Sequence, residues 1–246
     1  MSTPTVEWTG LRDPHPETSD GAGLRQRKKG QMRQRLTDTA TQMFLDRGFD
    51  AVRVVEVAEA CGVSEKTVYN YFPTKESLLL DRWEVTMTSL RVGLADTRVP
   101  PVQAALRILD DELESITTWL GAQADPVAAR ALYRRFGTMI WSTPTLRAHQ
   151  REMTDQLVVV ASEVMADRFA LDPHDPRAQV AAIAMVGLWQ VQSRSLGKHL
   201  EKNVSLRQVR RAVTDDVERA AQLIDAGLRT FGSADRRRQQ SNRIKG

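Results

Sequence analysis

The chain has 246 residues, 41% hydrophobic and 27% charged, with a formal net charge of +4. That size allows one large domain, or a small one beside a medium one, and no apolar run reaches the roughly 18–20 residues a membrane helix needs. Residues 1–21 lack a basic start followed by an apolar core, and the single cysteine, Cys61, excludes an internal disulfide; both point away from secretion and toward the cytoplasm.

Residues 1–23 are rich in Pro, Thr, Ser, Asp and Gly and are expected to form a disordered tail. From Arg25 the pattern turns helical: Met32, Leu36, Ala40, Met43 and Phe44 recur at three-to-four spacing, and Gly48 stands where a helix would end. The first turns carry Arg25, Arg27, Lys28, Lys29, Arg33 and Arg35 with no acid between them. Such a cluster suits a polyanion, and equally a solvated helix face. A short helix follows over about 54–61, with Val54, Val57, Ala58 and Cys61 on one face, and another starts at Ser64 as N-cap. Thr74 is the expected N-cap of a longer helix running to about 95.

Pro-led helix starts come next, at "RVPPV", Asp125 with Pro126, Thr143 with Pro144, and Asp175 with Pro176. Ser205 and Gln208 form a capping box for a last helix that is expected to run to about Phe231 and close at Gly232. Residues 233–246, with Arg236, Arg237, Arg238, Arg243 and Lys245, read as a basic disordered tail. Alternating β-branched runs bounded by hairpin turns are absent from the sequence. The expected fold is therefore all-α with about nine helices: an N-terminal three-helix helix-turn-helix domain over 24–80 and a C-terminal helical domain over 81–232.

The stretch "ACGVSEKTVYNYF", residues 60–72, carries the chemistry. Gly62 can take a positive φ, so one helix ends there and the chain turns back steeply into a second. Val68, Phe72 and part of Tyr71 must anchor that second helix, which is too short to stand alone. Glu65, Lys66, Thr67, Tyr69 and Asn70 are left facing outward, with donors, acceptors and one ring suited to base edges and phosphates in a major groove.

The segment "GFDAVRVVEVAEACGVSEKTVYNYFPTKESLLL", residues 48–80, closely resembles the DNA-binding domain of TetR-family transcriptional regulators. The resemblance covers roughly residues 30–80; beyond it only the long helices and the total length match. It implies that Ser64, Lys66, Thr67, Tyr69 and Asn70 face the groove. It implies that Tyr71 and Lys75 hold phosphates, and that Arg33, Arg35 and the arm from Arg25 to Lys29 grip the backbone or an adjacent minor groove. The sequence departs from the family pattern in three places. Val52 and Arg53 replace a usual threonine, which removes a side-chain cap and offers Arg53 as a phosphate contact. Lys66 replaces a common glycine. Cys61 replaces a usual alanine and reads as a small buried side chain at a helix crossing.

A single helix-turn-helix reads few base pairs, so a two-fold dimer on a palindrome is expected. The segment 178–200 is apolar nearly all round, with Ala181, Ala184, Gly187 and Val191 as a small-residue stripe; the last two long helices, about 176–204 and 205–231, are the expected homodimer surface. The family resemblance points the same way. Trp119, Phe136, Met139, Trp141, Met185 and Trp189 are candidate walls of a ligand cavity, with Gln190, Arg194 and His149 as polar anchors. The same residues also suit plain core packing.

The expected function is a homodimeric DNA-binding regulator, a repressor released from a palindromic operator by a small apolar or aromatic effector. No cofactor, metal or membrane is called for. A dimer without a small-molecule ligand shares every DNA-facing residue. A remote enzymatic alternative rests on "DDELE", where Asp110, Asp111 and Glu114 resemble a magnesium motif of all-α terpene synthases. The second metal motif of such enzymes is missing.

Overall fold

The structure is a computed structural model that describes residues 23–80, 83–172 and 174–243, with side chains for 27–80, 85–172 and 174–227. Apart from its last residue, the expected N-terminal tail lies outside them. Among the described residues the elements are nine α-helices, one 3-10 turn over Glu76–Leu78, and no strand. The helices are α1 (Gly23–Arg47), α2 (Val54–Ala60), α3 (Glu65–Tyr71), α4 (Trp83–Ala95), α5 (Pro101–Ala122), α6 (Pro126–Ser142), α7 (Pro144–Phe169), α8 (Pro176–Leu200) and α9 (Leu206–Arg243). No described helix is long and apolar enough to cross a membrane.

The helix ends follow local chemistry. Asp125 caps α6 by accepting from Val127 N and Ala128 N, and Asp175 caps α8 by accepting from Arg177 N. At α9, Ser205 Oγ accepts from Gln208 N at 3.2 Å while Gln208 Oε1 accepts from Ser205 N at 2.9 Å, the reciprocal pair expected there. At the end of α2, Gly62 sits at φ 65°. Around it Val63 N donates to Ala58 O and Gly62 N to Glu59 O, both at 3.0 Å, which closes the helix with a left-handed residue.

The same closure ends α7, but with alanine. Ala170 has φ 51°, Leu171 N donates to Ala166 O at 2.9 Å, and Ala170 N donates to Asp167 O at 3.2 Å. A Cβ in this region crowds the backbone, and glycine does not. Ala170 is exposed, so its methyl group gains little packing to offset that crowding. Ala170→Gly is therefore expected to stabilise the protein by about 1 kcal/mol. A urea midpoint that fails to rise would remove the strain argument.

Two expectations need correction. The single helix from Thr74 to about 95 is a 3-10 turn followed by a separate α4. Thr74 caps only the turn, accepting from Ser77 N at 3.1 Å. Leu78 and Leu79 are both nearly fully buried in the core, and that packing overrides helix continuity. Secondly, Gly232 does not close α9, which runs on to Arg243 through a stretch expected to be a disordered tail. An interior glycine costs only about 1 kcal/mol, and the Ala, Arg and Gln around it favour helix. The basic residues Arg27, Lys28 and Lys29 lie exposed on the first turns of α1, as the helical pattern from Arg25 predicts.

The chain forms two compact units. One holds the chain through Trp83 together with Ser115–Arg151; the other holds Glu84–Glu114 and everything from Glu152. In the first unit α6 and the start of α7 pack with α1–α3, across the division near residue 80 expected along the chain. Ile140 and Leu146 are buried in one cluster with Leu36, Phe44, Val57 and Phe72, and Phe136 and Met139 pack against it.

In the second unit α8 and α9 pack against each other, and Ala178, Ala182, Met185 and Leu196 on one helix and Val209, Val213 and Val217 on the other are buried. Asp216 ties them: it accepts from Ser195 Oγ at 2.6 Å, lies 3.2 Å from His199 Nε2, and pairs with Arg219. The Ser195 hydrogen bond leads the causes that hold its carboxyl below the usual carboxylate range. Glu112 of α5 accepts from Thr86 of α4 at 2.7 Å and from Trp189 of α8 at 3.0 Å. Arg210 of α9 pairs with Asp110 at 3.0 Å and Glu114 at 3.2 Å. Two of the three acids in the suggested magnesium motif thus hold an arginine across a helix packing.

Candidate nucleic-acid interface

The interface is built on α3. Ser64 caps it, with Oγ 3.2 Å from Thr67 N and 2.8 Å from Thr67 Oγ1. Val68 and Phe72 are each 1% exposed and fasten the helix to the core. Lys66, Asn70 and Tyr69, the last 45% exposed, stand in solvent beside Glu65. Apart from Thr67, the division of buried and open positions is the one the spacing predicts. Thr67 is half-buried and spends its hydroxyl on Ser64, so these two serve the helix start before anything outside it. Cys61 is 2% exposed, with Sγ 3.3 Å from Thr39 Oγ1, a packed side chain at the α1–α2 crossing.

Arginines flank this face. Arg35 is exposed on α1. Arg33 lies over the Phe72 ring at 4.8 Å and donates to Tyr71 O at 3.2 Å, so it ties α1 to the end of α3. Tyr71 itself is half-buried. Arg53 stands before α2 with 77% of its side chain exposed and supplies no side-chain cap. Glu56 compensates: it accepts from Arg53 N and from Arg47 Nη2, both at 2.8 Å. Those two bonds, the backbone one first, hold its carboxyl below the usual range.

Lys75 is placed differently from the family expectation. Its ammonium donates to Phe49 O at 2.6 Å and sits 4.3 Å from the Phe49 ring centre and 5.5 Å from that of Phe44. Burial pushes its pKa down. The side chain clamps the α1–α2 turn from beneath. Sequence reasoning missed this because the acceptor is a backbone carbonyl 26 residues away. Lys75→Met is expected to lower stability by about 1–3 kcal/mol while leaving the salt dependence of DNA binding unchanged. A slope of log affinity against log salt that flattens by about 0.9, with stability intact, would instead assign Lys75 to a phosphate.

The residues expected around a ligand divide between the two units. In the first, Trp119 is buried, with ring centres 6.3 Å from Tyr133, which in turn lies 6.5 Å from Phe136. Met139 is half-buried beside the core and Trp141 is 44% exposed. In the second, Met185 is fully buried, Trp189 is held by Glu112, and Gln190 and Arg194 are exposed. His149 is half-buried in the first unit.

The sequence of this site matches a known model. Residues 36–81 fit the family described as bacterial regulatory proteins, tetR family, and residues 121–229 fit the MftR C-terminal domain. The chain belongs to the TetR family of transcriptional regulators. Relatives of this TetR-family chain include the HTH-type transcriptional regulator TcmR of Streptomyces glaucescens, 28% identical over 69% of this chain and 76% of that one. BetI of Rhizobium meliloti is 29% identical over 72% and 85%, and the transcriptional activator FasR of Mycolicibacterium smegmatis 25% identical over 75% and 79%. The TetR-family assignment makes the chain a DNA-binding regulator and not an enzyme.

Proposed function

We propose that this regulator is a homodimeric repressor that binds a palindromic operator and is released by a small apolar or aromatic effector. The observation that carries the DNA-reading part is the outer face of α3. Lys66, Tyr69 and Asn70 are open to solvent on a helix whose inner face is fixed by Val68 and Phe72. A rigid helix presenting a cation, a ring and an amide suits base edges. Arg35, Arg53 and the exposed basic turns of α1 supply backbone contacts.

The dimer part is supported by unburied apolar side chains on the last two helices. Val180 and Ile183 on α8 are 65% and 58% exposed, and Leu223 on α9 is 80% exposed. Gly187 lies on α8, and a Cβ added there meets nothing within 4 Å in its own chain. A second copy would cover these positions. The effector part draws on the aromatic groups around Trp119 and Trp189 and operates through differential affinity for two conformations.

Gel shifts against the DNA flanking the protein's own gene, at two salt concentrations with excess competitor, test the reading. Lys66→Ala and Tyr69→Ala are each expected to weaken specific binding by about 1–3 kcal/mol with the melting temperature unchanged. Specific affinity equal to wild type in either variant strikes that residue from the site. A monomer by light scattering at working concentration removes the dimer.

A further inference from the structure

An open groove of about 830 Å³ lies in the first unit, between the turn that joins α1 to α2 and the outer side of α6. We propose that this groove binds an apolar organic anion, with Arg135 as the principal anchor of its charged head. The site goes beyond the operator reading and does not rest on it.

Two features of the lining set the ligand class. Its floor is apolar: Phe44, Phe49, Met139 and Pro144. Its rim carries Arg47, Arg134 and Arg135 against the one acid Asp50. An apolar floor under an excess of guanidinium selects a molecule with a hydrophobic body and one negative head, and the volume is in the range of small-molecule sites.

The arginines are not equivalent. Arg47 is committed, donating from Nη2 to Glu56 at 2.8 Å and to Ala51 O at 3.2 Å. Arg135 donates from Nη2 to Leu45 O at 2.6 Å. That bond fixes the guanidinium at the C-terminal end of α1. Its Nε and Nη1 have no acceptor among the described residues. A guanidinium held by one corner, with an edge left open over an apolar floor, is prepared for a two-pronged bond to a carboxylate or sulfonate. Phe49 lines the groove and accepts from Lys75 through its carbonyl, so an occupant lies against the residue that holds the α1–α2 turn.

The test needs no DNA, so its outcome is independent of the operator reading. The full-length protein is titrated with 8-anilinonaphthalene-1-sulfonate and with the neutral N-phenyl-1-naphthylamine, following fluorescence. Wild type is expected to prefer the sulfonate about tenfold or more, the effect of one charge-assisted pair. Arg135→Met keeps the stem, loses the charge and is expected to abolish the preference. Thr138→Trp, at an exposed lining position, is expected to weaken both probes by filling the groove. Melting curves check that each variant folds, and Thr138→Trp decides if Arg135→Met does not. No anion preference in wild type overturns the site. So does a preference unchanged in folded Arg135→Met, or affinities for both probes unchanged in Thr138→Trp.

Discussion

Phe72→Ala is expected to cost about 3–5 kcal/mol and to abolish operator binding together with the fold of the first unit. Phe72 is 1% exposed, closes α3 through its N–H to Val68 O, and carries the Arg33 guanidinium on its ring. The helix it closes has seven residues, too few to persist without tertiary anchors. Truncation therefore leaves a cavity, frees α3 and loosens α1 through Arg33. Denaturant unfolding and DNA binding measured on the same preparation check it. A loss under about 1 kcal/mol with operator affinity retained would mean that Val68 alone suffices, against the packing argument.

The second large effect is expected in the second unit. Arg168 donates to Leu94 O at 2.8 Å, Asp96 O at 3.0 Å, Thr97 O at 3.4 Å and Val99 O at 2.7 Å. One guanidinium thus gathers carbonyls at the end of α4 and in the following turn, Asp96 O among them, which also accepts from Val99 N at 3.2 Å. Arg168→Met, which keeps the stem, is expected to lower stability by about 2–4 kcal/mol, since several partly buried acceptors lose a charged donor at once. Arg168→Lys should recover only part of it, because an ammonium cannot reach a fan of four acceptors in the geometry of a planar fork. Urea midpoints that fall equally in both variants would show that it is the fork, and not the charge, that matters. A midpoint unmoved in Arg168→Met would refute the clamp.

The sequence was most informative where structure is local. Caps at Ser64, Asp125, Asp175 and Ser205 formed as expected, because a cap depends on a residue and its next three neighbours. The inner and outer faces of α3 were legible for the same reason: periodicity alone sorts Val68 and Phe72 from Lys66, Tyr69 and Asn70. Long-range ties were not legible. Lys75 on Phe49 O and Arg135 on Leu45 O join a side chain to a backbone carbonyl, which carries no residue identity to read. The break between the turn at Glu76–Leu78 and α4 was hidden because nothing in "ESLLLDRW" forbids a helix. Only the joint burial of Leu78 and Leu79 decides it. The interleaving of α6 with the helix-turn-helix was likewise a matter of tertiary contact, carried by Ile140 and Leu146, whose apolar character alone does not say what they pack against.

The separation of duties on α3 bears on how such a protein can change its target. Lys66, Tyr69 and Asn70 carry none of the burial that secures the helix, while Val68, Phe72 and the Ser64 cap carry it. Selection can therefore rewrite the three outer positions freely, and a drifting lineage can acquire a new binding sequence without first surviving an unstable intermediate. The same independence makes them the positions to randomise in a laboratory search for altered specificity, with the scaffold kept as it is.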